Sequence, residues 1–316
     1  MNRRRAHSIG LPRKLSLVGL LLLGVFTGRA AERELLRDPG FRDGFRVIAP
    51  TAGQRVVVGR LAGESGERSP AWDLDQWHSR VPFTNPPALR LGPQLSFSNA
   101  AKWVVISNGT LTLGVDSRVE YTNTLRRSPA EPWVHLLAEQ ALTNCPSLGE
   151  LTALRLRFGA RLTATETFRP AGYTSDLHAA QFQLVVTLGN TRRESPGHGD
   201  FLWFVVPLYD DRHAQPPRYV NRDFADPSAK LIFNPGTDAF TPQRLRDGAW
   251  VTVERDLRPL LLEALAEARR LGYLRVSPDP ADYRLTTLNL GWEVPGLHRV
   301  ALALRELSLR AETPGE

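Results

Sequence analysis

The stretch Gln76-Trp77-His78-Ser79-Arg80 is the densest polar cluster in the chain and could place a histidine and an arginine on opposite or adjacent faces of one strand. Indole rings stack on the apolar faces of sugar rings while the N–H keeps a polar partner. Of the seven tryptophans, Trp72, Trp77, Trp133 and Trp292 lie beside charged or turn residues, whereas Trp103 and Trp203 lie in apolar runs and read as core. Trp77, Arg80, Trp133, Trp292 and the adjoining Glu293 are therefore the candidate carbohydrate-binding residues. Glycoside hydrolysis needs two carboxyl groups roughly 5 to 9.5 Å apart. Glu120, Glu139, Asp210, Asp211 and Glu293 are candidates, and nothing in the sequence pairs them. Asp210 and Asp211, with Asp223 and Asp226 downstream, could offer oxygen ligands to a structural Ca²⁺, although their spacing follows no calcium-loop pattern and Arg212 opposes a cation. His78, His135 and His213 are too scattered for zinc. No Gly-rich phosphate loop and no Gly-x-Ser-x-Gly elbow occurs, so no cofactor is expected.

These residues must be positioned by strands. Short β-rich runs with period-two alternation recur at Gln54–Gly59, Lys102–Ser107, Thr110–Val115, Leu154–Leu162, Gln181–Leu188, Phe201–Leu208, Lys230–Phe233, Trp250–Arg255, Tyr283–Leu290 and Arg299–Leu309. Turn signals separate them, among them Asn108-Gly109, Asn234-Pro235-Gly236 and Asp247-Gly248. Leu154-Arg155-Leu156-Arg157-Phe158 alternates as a strand with one wet face should. Phe201–Val206 has no polar face and reads as the sandwich centre. One helix is expected over 257–271, with Asp256 as N-cap, Pro259 in its first turn and Gly272 ending it. Its Leu260, Leu261, Ala264, Leu265 and Ala268 form one apolar stripe. Many strands without βαβ alternation predict an all-β, jelly-roll-like β-sandwich.

Residues 1–30 carry a basic segment, an apolar run from Leu15 to Phe26 and small residues at Gly28 and Ala30, the pattern of a secretory signal peptide. That run is too short for a span that needs roughly 20 residues. The expectation is a secreted or periplasmic protein that does not span the membrane, with residues 31–316 forming one sandwich domain. Its N-terminal extension, 31–93, has the weakest patterning. The formal charge of +7 comes largely from the leader, because residues 31–316 hold 34 basic against 33 acidic side chains. This balance excludes the basic footprint of a nucleic-acid-binding protein. Only Lys14, Lys102 and Lys230 are lysines, so arginine forks are the cations available to acidic sugars. Cys145 is the only cysteine, so no intrachain disulfide can form.

From Phe201 onward the order is Tyr209-Asp210-Asp211-Arg212 ending an apolar strand, Trp250 leading through Asp256 to the helix, Gly291-Trp292-Glu293, and a closing strand. This resembles the last half of bacterial carbohydrate-associated jelly-roll domains of the galactose-binding-like and concanavalin-like types. The resemblance implies a polysaccharide or oligosaccharide partner. Gln76-Trp77-His78 and Arg118-Val119-Glu120, with Tyr121 next, are similar to the Gln-apolar-His and Arg-x-Glu strands of jelly-roll polysaccharide lyases, in the reverse chain order. That likeness implies catalytic roles for His78, Arg118, Glu120 and Tyr121: Gln and Arg neutralising a uronate carboxylate, His or Tyr taking the C5 proton. Three readings follow: a carbohydrate-binding protein, a polysaccharide lyase or glycoside hydrolase, and a non-catalytic envelope protein.

Overall fold

The computed structural model describes residues 31–66, 68–223, 229–245 and 248–315. The expected signal peptide, 1–30, lies outside the described residues. Along the chain run β1 (Ala31–Glu34), β2 (Gly44–Ile48), β3 (Val57–Ala62), β4 (Trp72–Asp75), β5 (Leu89–Leu91), β6 (Gln94–Ser98), β7 (Lys102–Ser107), β8 (Thr110–Asp116), α1 (Ser117–Glu120), β9 (Val134–Ala141), β10 (Ala153–Thr167), β11 (Gln181–Asn190) and β12 (Phe201–Asp210). Then follow β13 (Tyr219–Arg222), β14 (Leu231–Asn234), β15 (Val251–Asp256), α2 (Arg258–Arg270), β16 (Tyr283–Val294) and β17 (His298–Thr313).

Two sheets form the sandwich. One has the order β15-β10-β17-β8-β7-β6-β5, with β1 also on β17; the other has nine strands in the order β13-β14-β12-β11-β16-β9-β4-β2-β3. Pairing is antiparallel except β2 with β4 and β12 with β14. The expected jelly-roll-like sandwich is thus the observed architecture. Alternation explains the core: Leu154, Leu156, Phe158 and Ala160 of β10 face Leu184, Val186, Leu288 and Leu290 across the inter-sheet space, all buried. Segment 31–93, where patterning is weakest, supplies strands to both sheets. Its strands are short, which leaves too few alternations to read.

Helix α2 buries Leu260, Leu261, Ala264, Leu265 and Ala268, the expected stripe, and touches β12. Asp256 binds the Arg258 N–H at 3.0 Å but also the Leu154 N–H at 2.9 Å. It therefore ties the helix start to β10, while Leu257 occupies the cap position. Gly272 follows at φ +96°, where a residue with a Cβ is strained.

Arg118-Val119-Glu120 departs from expectation. It is the helical turn α1, not a strand, because the Asp116 carboxylate accepts the Arg118 N–H at 3.2 Å and caps the turn.

Candidate functional site

The outer face of the nine-stranded sheet gathers most of the chemistry. On β4, Trp72 and Leu74 point into the core, so Asp73 and Asp75 point outward, and Trp77 continues the alternation beyond the strand. The His135 N–H donates to the Trp77 carbonyl at 3.0 Å, which extends the β4–β9 register. His135, Leu137 and Glu139 are the outward residues of β9; their partners on β16 are Glu293, Gly291 and Asn289. Gln181, Gln183 and Val185 of β11 come next across the face. Glu139 stands directly opposite Asp73, while Asp75 stands opposite Leu137. Four residue steps along extended β9 take His135 to Glu139, about 13 Å.

Two clusters result. At one end the His135 ring lies between two indoles, 5.5 Å from Trp77 and 5.7 Å from Trp133, with the His78 ring 6.0 Å away. His135 Nδ1–H donates to the Trp133 carbonyl at 2.9 Å, which turns Nε2 toward Glu293 at 3.6 Å. The Trp133 Nε1–H donates to Glu293 at 3.1 Å, and the Arg126 guanidinium lies 4.9 Å over the Trp133 ring. Burial raises the Glu293 carboxyl, but the His135 and Trp133 contacts outweigh it and leave Glu293 below the usual range. Burial and the charge of His135 both push His78 down. Trp77 and Trp133 are half-buried and His78 is exposed, so this cluster reaches solvent.

At the other end Asp73, Asp75 and Glu139 form an acidic cluster. Arg46 holds Asp73 at 2.6 Å, and Arg55 from the β2–β3 connection bridges Asp73 and Glu139. Asp75 is fully buried, with no ion pair of its own among the described residues. Burial, and then the charge of Glu139, push its carboxyl up to about 8, and both of its carboxyl oxygens are buried without a hydrogen-bond partner among the described residues. Desolvation and a neighbouring like charge both disfavour the ionised form, so Asp75 keeps its proton where an exposed carboxyl has lost it.

Several expected site residues lie elsewhere. Trp292 is core: it is fully buried, its Nε1–H donates to the Leu113 carbonyl at 2.9 Å, and Phe182 and Tyr209 meet it edge-on. Trp72 is likewise buried and donates to the Asp38 carbonyl. Trp103 and Trp203, expected in the core, are instead half-buried on the two outer faces, because each falls on the wet phase of its strand. Arg80 gives its backbone N–H to Glu120 at 2.6 Å while its side chain is exposed.

The lyase-like residues do not assemble into a groove. Glu120 is buried against Lys102 and accepts from the Ser79 hydroxyl and the Arg80 and Val81 N–H groups. The Tyr121 hydroxyl donates to the Val294 carbonyl at 2.7 Å and accepts the Val134 N–H at 2.9 Å, and burial pushes the phenol well up, so it is no base. Arg118 is held by Asp116 at 2.6 Å and lies 4.0 Å over the Phe168 ring. Only His78 joins the face described above.

The candidate Ca²⁺ ligands are also engaged. Asp210 takes Arg212 bidentately at 2.6 and 2.8 Å and the Gln181 amide at 2.8 Å, and Asp211 accepts the Ala180 N–H at 2.8 Å. A guanidinium occupies the place a cation would need. Among the described residues no group of three or more His, Cys, Asp or Glu converges as a metal site. Nor is any described helix long and apolar enough to cross a membrane.

Asp75, Asp73 and Arg55 were not singled out by sequence reasoning, and His135 was weighed only as a zinc ligand. The alternating Asp73-Leu74-Asp75 after Trp72 carries the only local signal for the acidic pair; its meeting with Glu139 comes from strand pairing.

No family model matches the chain, and no curated protein matches it significantly. The comparison with solved structures gives matches of low identity and low superposition over most of the chain. The endoglucanase Cel12A from Rhodothermus marinus is 12% identical, covers 72% of this chain and 96% of its own, and superposes with a TM-score of 0.38. The family 12 xyloglucanase from Bacillus licheniformis is 8% identical over 75% and 98%, with a TM-score of 0.42. The xyloglucanase domain of NopAA, a type three effector from Sinorhizobium fredii solved with cellobiose, is 9% identical over 72% and 96%, at 0.36.

Proposed function

We propose that this protein is exported and acts on a polysaccharide laid across the outer face of its nine-stranded sheet. The observation that carries this reading is the convergence of Trp77, Trp133, His135 and Glu293 at one end of that face. Two half-buried indoles give stacking surfaces, and a histidine–carboxylate pair between them gives hydrogen-bond partners for sugar hydroxyls. Gln181, Gln183 and Asn289 continue the polar surface across the neighbouring strands.

Glycoside hydrolysis on the same face is favoured by a second observation. Asp75 keeps its proton to about pH 8, so the acidic cluster holds a neutral carboxylic acid at neutral pH. In the hydrolytic reading Asp75 tunes the Glu139 carboxylate or donates the proton to the leaving oxygen, and Arg55 must swing away to admit substrate. The carbon–oxygen bond of the glycoside breaks, water supplies the hydroxyl at the new reducing end, and its proton ends on the leaving sugar.

Affinity electrophoresis through neutral and acidic polysaccharides, with reducing-end release measured on the same polymers, tests both readings. Cellulose derivatives and xyloglucan are the first neutral probes. Retardation lost in Trp77→Ala and Trp133→Ala supports the binding face. Reducing ends that vanish in Glu139→Gln add hydrolysis. No retardation and no release on any polymer refutes the reading.

A further inference from the structure

The opposite side of the sandwich, the outer face of the sheet built on β10, β17, β8 and β7, carries a second aromatic array. Trp103 of β7 lies flat over its cross-strand partner Gly114: a Cβ there would stand 1.9 Å from Trp103 Cε2. Beside Trp103, toward the sheet centre, the outward positions are small, with Gly114 opposite Ala301 and Thr112 opposite Ala303. Across this shallow floor, four strand spacings or about 19 Å away, Trp250 sits at the start of β15, with its Cε3 3.5 Å from the Cβ that Gly159 lacks. Aromatic rings over glycines support a sheet by themselves. Here, however, both rings are also overlaid by guanidiniums: Arg299 at 5.3 Å over Trp103, and Arg305 at 4.1 Å and Arg161 at 4.9 Å over Trp250.

Elsewhere on this face Arg155 and Arg157 are held by Glu312 and Glu306; the cations beside Trp250 are the incompletely paired ones. Arg299 is paired with Glu166 at 2.9 Å, but Arg305 has only Glu306 at 3.8 Å. Arg161 has no carboxylate partner among the described residues, and the Nε groups of Arg161 and Arg305 are buried without an acceptor. Stacked guanidiniums are oriented and partly desolvated, and their free edges are forks that match carboxylates bidentately. A flat floor, two indoles about 19 Å apart and arginine forks beside Trp250 suit an extended chain that repeats a carboxylate along a ring polymer.

We propose that Trp103, Trp250, Arg161, Arg299 and Arg305 form a second glycan-binding surface, on the side of the sandwich opposite the Trp77–Trp133 face, and that its ligand is an acidic polysaccharide. The inference does not depend on the reading of that other face, because the two share no residue and lie on opposite sides of the core.

The test is affinity electrophoresis of the full protein through polygalacturonate, alginate and a neutral glucan at low and high salt, with a single-stranded DNA gel as a control. The wild type is expected to be retarded by a polyuronate at low salt and released at high salt. Arg161→Gln combined with Arg305→Gln, and separately Trp250→Ala, should each weaken that retardation about tenfold. The double arginine variant should keep the wild-type thermal midpoint, and any retention on neutral glucan should stay unchanged in both. Trp77→Ala should leave polyuronate retention intact. Absence of retardation in every polyuronate gel overturns the proposal, as does retardation unchanged in both variants. Equal retardation by DNA shows attraction by charge alone and overturns it too.

Discussion

Asp75→Asn should reshape the pH dependence of stability. A carboxyl that ordinarily titrates near 3.8 here holds its proton to about 8, through burial first and the neighbouring Glu139 second. Between those pH values the folded chain binds a proton that the unfolded chain has released, so stability falls as pH rises through the window. At about 1.4 kcal/mol per pH unit, the loss between pH 4 and 8 is roughly 5 kcal/mol, an appreciable part of a typical domain's stability. Asparagine is isosteric and cannot ionise. Relative to wild type, the variant should therefore be close to neutral near pH 4, more stable by about 1.5 kcal/mol at pH 5 and by several kcal/mol at pH 9. Urea unfolding at pH 5, 7 and 9, read as midpoints at constant slope, measures this. Parallel pH profiles for the two proteins would refute the raised Asp75 carboxyl, and with it the acid that the hydrolytic reading requires.

Other consequences follow from single contacts. Lys102→Met strips the partner from Glu120, both side chains being almost fully buried, and should cost about 3 to 5 kcal/mol; adding Glu120→Gln should recover much of the loss, and a full additive penalty in the double variant would show the pair to be uncoupled. Trp292→Ala should lower stability by about 3 to 5 kcal/mol by opening a core cavity, whereas Trp77→Ala should leave the thermal midpoint nearly unchanged and act on glycan retention. Gly59→Ala would place a Cβ 1.4 Å from the Thr84 carbonyl oxygen and should destabilise the β3 edge by at least 1 to 3 kcal/mol in chemical denaturation. If the leader is processed as its pattern predicts, N-terminal sequencing of the exported protein will start at Ala31.

The strands with long, clean alternation could be read directly. Lys102–Ser107 has the observed bounds of β7, and the wet and dry faces of β10 follow from Leu154-Arg155-Leu156-Arg157-Phe158. The helix stripe from Leu260 to Ala268 was equally legible, because a 3.6-residue period names the buried face without reference to any partner. Period two carries less information: it separates two faces but does not say which one meets the core. Trp103 and Trp203 fell on the outward phase of apolar strands, and Trp292 on the inward phase of a strand whose turn-like Gly291-Trp292-Glu293 suggested a surface.

The site depended still more on pairing. Trp77, His135 and Glu293 are far apart in the chain and become neighbours only because β4, β9 and β16 lie side by side in one register. A slip of one residue in β9 would have turned His135 and Glu139 into the core. The same dependence removed the lyase-like set, since the Asp116 cap coils Arg118-Val119-Glu120 into a turn and Lys102 draws Glu120 inside. Local periodicity thus determined the class of fold and the polar or apolar character of each strand. Which polar residues meet, and which carboxyl keeps its proton, was decided by non-local strand register and by the desolvation that only packed sheets impose.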